Sequence, residues 1–171
     1  FGFEVVKEMN KQGVMIDISH VSDKAFMKVL EISEAPVLAT HSSLRHFTPG
    51  WERNVSDEML IALAENGGVI QLCFGSDFVA NRKDNPDIEV SVKNVVDHID
   101  RVRDLVGIDH VGFGSDFDGE VPLPEDINDV SKFPNLIEEL LIRGYTESEI
   151  DKILNENILR VWKEVRALAD V

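Results

Sequence analysis

Residues 91–114, SVKNVVDHIDRVRDLVGIDHVGFG, contain one complete unit of the pattern that decides the fold. Valine and isoleucine recur every three or four residues from Ser91 to Val106, which is the spacing of an amphipathic helix. Ser91 favours the start of such a helix and Gly107 favours its end. The short apolar run that follows, His110–Gly114, is typical of a strand buried on both faces. The stretch therefore predicts a helix that leads into a strand of a parallel sheet.

The same alternation of apolar runs and helical patterns extends over the rest of the chain. Three earlier runs resemble His110–Gly114, and they are Val14–Ile18, Pro36–Thr40 and Gly68–Phe74. Helical patterns lie before, between and after these runs, at Gly2–Lys11, Asp23–Ile32, Ser56–Asn66, Phe133–Arg143, Thr146–Asn155 and Glu156–Leu168. Strands that alternate with helices indicate right-handed crossovers and a parallel sheet. We therefore predict the α/β fold class and a single domain over residues 1–171.

Composition and charge exclude several classes of protein. The chain has 17 basic and 32 acidic residues, a formal net charge of −15, so a phosphate backbone would be repelled and we expect no nucleic acid partner. No apolar run reaches the length of about 20 residues that a membrane span needs. The single cysteine, Cys73, lies inside an apolar run, where we expect a buried thiol without a disulfide partner.

Residues able to bind a metal or transfer a proton follow three of the four predicted strands. His20 follows the first run, His41 follows the second, and Asp116 follows the fourth. In parallel α/β sheets the working residues gather at the carboxyl ends of the strands. His20 and His41 are separated by about one βα repeat, so we expect them on neighbouring strands.

Two converging imidazoles are typical ligands of Zn²⁺, and a nearby carboxylate can take the proton of an activated water. This combination points to attack of hydroxide on a polarised carbonyl. By pattern alone, the alternative that His20 and His41 have structural roles stays open.

Other polar residues are weaker candidates. By composition, Arg53 is a surface arginine with an ion pair, although its planar fork could also clamp a carboxylate. We expect His46 and His98 to be exposed and His110 to lie at the amino end of a strand, away from any chemistry. The segment 112–117 has Phe117 where a dinucleotide-binding loop needs its third glycine, so we exclude that kind of site.

Several segments, taken together and in order, are similar to the membrane (renal) dipeptidase family of zinc dipeptidases. They are Val5–Asn10 with Gly13–Ser22, Ala39–Ser43, Arg53–Asp57, Gly112–Gly119 and Asn155–Val161. The resemblance implies the second half of a (β/α) barrel of the TIM type, with about four βα units and additional C-terminal helices. It also implies hydrolysis of the amide bond of dipeptides by metal-activated hydroxide.

The resemblance assigns roles to four residues. His20 and His41 would be ligands of one of two Zn²⁺ ions. Arg53 would hold the terminal carboxylate of the dipeptide, which reverses the interpretation from composition. Asp116 would be catalytic, by assisting proton transfer, and would also contact the substrate amine.

The chain also departs from the family pattern. The family's His-x-Asp, its metal-bridging glutamate and a substrate-binding histidine lie upstream, so the remaining zinc ligands are expected outside this chain. We therefore expect a fragment, or one partner of a split or swapped barrel, that needs the N-terminal half or a second chain; a homo-oligomer is another expectation. The alternatives are a related barrel amidohydrolase acting on another amide or a lactam, and a non-catalytic barrel fragment. For localisation we favour the cytoplasm over an exported or membrane-anchored parent.

Overall fold

A three-stranded parallel sheet lies at the centre of the computed structural model, which describes residues 1–119 and 121–169. The strands are β1 (Leu38–Ser42), β2 (Val69–Leu72) and β3 (Val111–Phe113), and they neighbour each other in that order. Their register pairs Ala39 with Ile70, and Ile70 with Val111. β2 and β3 lie within the third and fourth predicted runs, and β1 overlaps the second run but continues two residues beyond it. The prediction of an α/β fold with a parallel sheet is confirmed.

The prediction of a strand at Val14–Ile18 is wrong. The segment makes only an isolated parallel bridge between Asp17 and Leu38. The backbone N–H of Ile18 donates to Leu38 at 2.7 Å, and that of Leu38 donates to Ile16 at 2.9 Å. Pairing stops there because the backbone N–H of Thr40, which would continue the ladder by donating to Ile18, donates to the Asp17 side chain, and because the chain turns at His20. The segment still lies beside β1 in the predicted orientation.

Helices connect the strands and begin and end close to the predicted residues. They are α1 (Gly2–Lys11), α2 (Asp23–Ile32), α3 (Asp57–Glu65) and α5 (Val92–Val106); the short α4 (Ser76–Val79) is not predicted from the sequence. The side chains of Ser22 and Ser56 cap α2 and α3 by accepting backbone N–H groups. At α5, the Asn94 side chain accepts from the N–H of Ser91, and Gly107 ends the helix with φ of 96°.

The C-terminal region is helical, as the sequence predicts, but two of its helices are joined. It consists of α6 (Phe133–Ile142), α7 (Glu147–Asp151), a π-helical turn over Lys152–Glu156, and α8 (Asn157–Ala167). Thr146 and Glu149 form the predicted capping box at the start of α7. No glycine or proline separates α7 from α8, so the backbone continues through a wider turn instead of breaking. Among the described residues, no helix is long and apolar enough to cross a membrane.

The apolar face of α5 packs into the core, where four of its side chains are fully buried: Val95, Val96, Ile99 and Val102. Cys73 is also buried, at 1% exposure, and is free, which confirms that prediction.

The expectation that His98 is exposed is wrong, because its side chain is fully buried against the chain that follows β1 and the end of α4. Its Nδ1 accepts from the backbone N–H of Leu44 at 3.0 Å, and its Nε2 lies 3.2 Å from the carbonyl of Val79. Burial lowers the pKa of His98 from 6.5 to about 4, despite the opposing effect of the Val79 carbonyl. The two contacts of the His98 ring thus connect α5 with the chain beyond β1 and with the end of α4. His46 is exposed and His110 precedes β3, as predicted.

Candidate active site

The predicted site residues lie at the carboxyl edge of the sheet. His41 is the fourth residue of β1, and His20 follows the bridged segment beside β1. Cys73 comes directly after β2, and Asp116 comes three residues after β3. Because neighbouring parallel strands end at the same edge, side chains from four separate segments meet there.

The two histidines contact each other directly. The Nε2 atoms of His20 and His41 are 2.8 Å apart, and the ring centroids are 4.8 Å apart. Two imidazole nitrogens bound to one tetrahedral zinc ion at about 2.05 Å would be separated by about 3.3 Å. The rings therefore point at a common position, and a small rotation of either ring would give the spacing that one metal ion requires.

Arg53 lies against both histidines, so the expectation from composition of a surface arginine is wrong. Its Nη2 is 3.1 Å from Nε2 of His20 and also donates to the backbone carbonyl of His41. Its Nη1 donates to Oγ of Ser42 at 2.9 Å. Burial lowers the pKa of Arg53, while the nearby Cys73, Asp116 and Asp17 oppose this shift. The guanidinium is half-buried and is held over the ring of Phe78, 5.6 Å from its centroid.

Asp116 belongs to the same cluster. Its Oδ2 lies 3.8 Å from Sγ of Cys73, within the range of a thiol hydrogen bond. Its negative charge acts on His20: burial, Arg53 and His41 lower the pKa of His20, and Asp116 and Asp17 partly offset this. The carboxylate also lies against Gly119, where an added Cβ would come within 2.6 Å of its Cγ.

Two of the predicted site residues have an unusual backbone. Within the described part of the chain, His20 (φ of 64°) and Asp116 (φ of 60°) are the residues other than glycine with positive φ. This conformation costs a residue with a side chain roughly 1–2 kcal/mol, and it is concentrated at functional sites. The strain falls on two residues that are predicted from the sequence to be site residues.

Asp17 and Thr40 are neighbours of His41 that the sequence reasoning missed. Thr40 Oγ1 is 2.7 Å from Nδ1 of His41 and donates to Oδ2 of Asp17 at 2.6 Å. Burial raises the pKa of Asp17, but the hydrogen bonds from Thr40 and Ser19 outweigh this and leave that pKa below its ordinary value. A signal was present in the sequence, since Asp17 is a charged residue inside an otherwise apolar run.

The hydrogen bonds around His20 and His41 cannot all form if both rings are neutral. Thr40 gives its hydroxyl hydrogen to Asp17, so a hydrogen bond between Thr40 and a neutral His41 requires the hydrogen of His41 on Nδ1 and a lone pair on Nε2. Arginine only donates, so a hydrogen bond from Arg53 to Nε2 of His20 requires a lone pair there as well. Two lone pairs 2.8 Å apart repel each other unless an electrophile, either a proton or a metal ion, lies between them. The donor set thus fits a cation.

A cavity extends from Arg53 along the loop that follows β1. Its volume is about 820 Å³, and its lining includes Trp51, Arg53, Asp77 and Arg82. The ring of Trp51 packs edge-on against Phe78, the ring that also faces Arg53. This space is large enough for a small organic ligand, and Arg53 is the member of the histidine cluster that lines it.

Comparison with known families gives a match over the whole chain. The model of the membrane dipeptidase family (Peptidase family M19) matches residues 1–171. The chain belongs to the membrane dipeptidase family. This confirms the resemblance to that family, while the roles of His20, His41, Arg53 and Asp116 stay predictions.

One relative by sequence and two solved structures resemble the chain over nearly its full length. Dipeptidase tcpJ of Claviceps purpurea (strain 20.1) is 40% identical over 168 residues, which are 98% of this chain and 38% of the relative. A metallo peptidase from Rhodobacter sphaeroides, solved with a phosphinate mimic of the dipeptide L-Ala-D-Ala, is 35% identical with a TM-score of 0.87. The match covers 96% of this chain and 46% of that one. The probable dipeptidase PvdM from Pseudomonas aeruginosa is 28% identical with a TM-score of 0.90, over 98% and 54% of the two chains.

The chain therefore spans between 38% and 54% of the length of these relatives. Within residues 1–119 and 121–169, no group of three His, Cys, Asp or Glu side chains lies close enough to hold a metal ion. The cluster that the described residues form at the carboxyl edge of the parallel sheet consists of two imidazoles, one guanidinium and one carboxylate.

Proposed function

We propose that the protein to which these residues belong is a zinc dipeptidase, and that this chain forms the carboxyl-terminal half of its (β/α)₈ barrel. The observation that carries the proposal is the convergence of Nε2 of His20 and Nε2 of His41 beside the guanidinium of Arg53. Membership of the membrane dipeptidase family and the likeness to a metallo peptidase crystallised with a dipeptide mimic support it.

His20 and His41 would hold one Zn²⁺ ion, and a second ion would need ligands from the other half of the barrel. Bound zinc would polarise the scissile carbonyl and lower the pKa of the attacking water. The remaining tasks, binding the two ends of the substrate and transferring its protons, would be performed by side chains.

Arg53 would bind the free carboxylate of the dipeptide. In the structure, its Nη2 shares the lone pair of His20, and that contact is lost when the lone pair is used by a cation. The guanidinium would then have an N–H free for a carboxylate at the mouth of the adjoining cavity. Positive charge held half-buried, with a second contact to Ser42, favours an anion at this position.

Asp116 would accept and donate protons during the reaction. Its carboxylate stands near His20 and Arg53, where it could accept a proton from the attacking water and return it to the leaving amine. Before the reaction the same carboxylate would attract the substrate's ammonium group. A site that recognises both a free amine and a free carboxylate accepts dipeptides and rejects longer peptides.

The other half of the barrel would pair with the two open sides of the sheet. The segment 14–18 has β1 on one side, and β3 has β2 on one side. Unpaired strand edges favour association with another strand. We propose that an N-terminal half-barrel, in the same polypeptide or in a second chain, covers these edges and supplies the remaining metal ligands.

The proposal is tested by assaying hydrolysis of L-Ala-D-Ala and L-Ala-L-Ala, with metal content measured in parallel. The chain is assayed alone and after co-expression with an N-terminal half-barrel from a family member. We expect hydrolysis and bound zinc in the complex and no turnover by the chain alone. A complex that binds two zinc ions but cleaves neither dipeptide would contradict the proposed reaction. Full activity of the isolated 171 residues would contradict the proposed half-barrel.

A further inference from the structure

The carboxylate of Asp17 is held in one orientation by three donors. Its Oδ1 accepts the backbone N–H groups of Ser19 at 2.9 Å and Thr40 at 3.1 Å. Its Oδ2 accepts the hydroxyl of Thr40 at 2.6 Å. The two backbone bonds fix Oδ1, so Oδ2 has to face Thr40.

This arrangement determines which atom of His41 carries hydrogen. A threonine hydroxyl has one hydrogen, and Thr40 gives it to the carboxylate, which can only accept. The contact of 2.7 Å between Thr40 Oγ1 and His41 Nδ1 then requires the hydrogen on Nδ1. A neutral histidine in water favours the other tautomer, with its hydrogen on Nε2, so the local structure opposes the intrinsic preference of the ring.

We propose that Asp17 and Thr40 are positioning residues that hold His41 in the Nδ1-protonated tautomer and so present its Nε2 lone pair to the metal. We call the hydrogen bonds that run from Asp17 through Thr40 to His41 the relay. The role of this relay in metal binding rests on the proposed function, but the tautomer of His41 is a property of the metal-free chain. Partners of this kind fix the orientation of metal-binding histidines and raise their basicity.

The relay also links the fold to the site. Asp17 belongs to the segment whose only pairing with β1 is the bridge to Leu38, and Thr40 and His41 are consecutive residues of β1. The carboxylate therefore joins the bridged segment to the strand that carries the metal ligand. Docking of residues 14–18 against β1 and presentation of Nε2 occur together.

Asp17→Asn is the sharpest test because it should reverse the relay. The two backbone N–H groups would keep the amide oxygen in the place of Oδ1, which leaves the amide nitrogen facing Thr40. An amide nitrogen donates, so the Thr40 hydroxyl would accept from it and donate its own hydrogen to Nδ1 of His41. His41 would then carry its hydrogen on Nε2, where it blocks metal binding.

The tautomer is measured in the metal-free chain by long-range ¹H–¹⁵N correlation spectra at about pH 8, above the ordinary imidazole pKa of about 6.5. We expect the hydrogen on Nδ1 in the wild-type chain and in Thr40→Ser, which keeps the hydroxyl. We expect it on Nε2 in Asp17→Asn, and predominantly on Nε2 in Thr40→Val. Asp129→Asn is the matched control, since its carboxylate also accepts a backbone N–H, that of Ser131, on an exposed turn.

Affinity for Zn²⁺, titrated in the same variants, provides the second measurement. We expect a loss of roughly 10- to 100-fold in Asp17→Asn and Thr40→Val, and a change of less than about twofold in Thr40→Ser and Asp129→Asn. A wild-type His41 protonated on Nε2, or an unchanged tautomer in Asp17→Asn, would overturn the inference. If the tautomers follow the expectation but the half-barrel complex cleaves no dipeptide, the proposed function fails and the relay stands.

Discussion

Arg53 is held by three contacts within the site, and its proposed task depends on the planar shape of its guanidinium. Arg53→Lys keeps the charge but loses the fork that binds a carboxylate with two hydrogen bonds. In the assembled enzyme we expect kcat/KM for dipeptides to fall roughly 30- to 100-fold. Hydrolysis of the matching dipeptide amides, which lack the carboxylate, should already be slow and should change little.

Arg82→Lys is the matched control for this substitution. Arg82 lines the same cavity but pairs with Asp77 and lies outside the histidine cluster, so kcat/KM should stay within about threefold of the wild type. Equal losses for dipeptides and their amides in Arg53→Lys would show that Arg53 does not bind the carboxylate.

Gly119 lies where any side chain would displace the carboxylate of Asp116. Gly119→Ala places a Cβ within 2.6 Å of Asp116 Cγ, and the carboxylate is free to move away because it is the end of a side chain. We expect a loss of roughly 10- to 100-fold in kcat with a small change in Tm, since misplacement by about 1 Å is enough for such a loss. Gly2→Ala is the control, because nothing lies within 4 Å of an added Cβ there. Unchanged activity would argue against a catalytic role of Asp116.

Among the elements, α5 depends on its buried histidine. The pKa of His98 is lowered to about 4 in the folded chain, whereas the unfolded chain has the ordinary value of 6.5. The unfolded state therefore binds more protons between these values, and the folded state loses stability as pH falls from about 6.5 to about 4. The loss from this one group approaches about 3 kcal/mol at the acidic end of the window.

Urea unfolding of the wild type and His98→Leu at a series of pH values measures this contribution. His98→Leu should be less stable near neutral pH, because the N–H of Leu44 loses its partner, but its stability should depend less on pH. His46→Gln replaces an exposed histidine whose charge is the smallest of the causes that shift the pKa of His98, so it should keep most of the wild-type dependence. The prediction fails if His98→Leu and the wild type lose stability in parallel over this range.

For the molecule as a whole, the expected metal stoichiometry follows from the donors that this chain contributes. His20 and His41 provide two nitrogen ligands at one position, so we expect the isolated chain to bind a single Zn²⁺ ion weakly. Isothermal titration of the chain should show one site that is lost in His41→Ala and kept in His46→Ala. Two tightly bound ions in the isolated chain would contradict the assignment of the remaining ligands to the other half of the barrel.

Most of the secondary structure could be predicted because it depends on short-range rules. The limits of α1 and α2 agree with the predicted residues, and serine caps mark the starts of α2, α3 and α5. The main exceptions are the short α4, the continuous turn between α7 and α8, and the segment 14–18, whose composition suits a strand. Strand pairing needs a neighbour on at least one side over several residues, and composition does not report how far that pairing extends.

Some residues of the candidate site could likewise be predicted from the sequence, and others could not. His20, His41 and Asp116 could be found from the sequence because catalytic side chains follow the carboxyl ends of parallel strands. The sequence by itself thus determined the fold class, the order of the elements and the residues with suitable chemistry, since each of these is written in local patterns.

Only the tertiary structure decided the contacts of Arg53 with the two histidines, the burial of His98 and the hydrogen bonds from Asp17 through Thr40 to His41. Each of these depends on which faces of distant segments meet when the sheet and its helices pack. A local pattern shows that a side chain is polar, but the partner that satisfies its hydrogen bonds comes from another part of the chain.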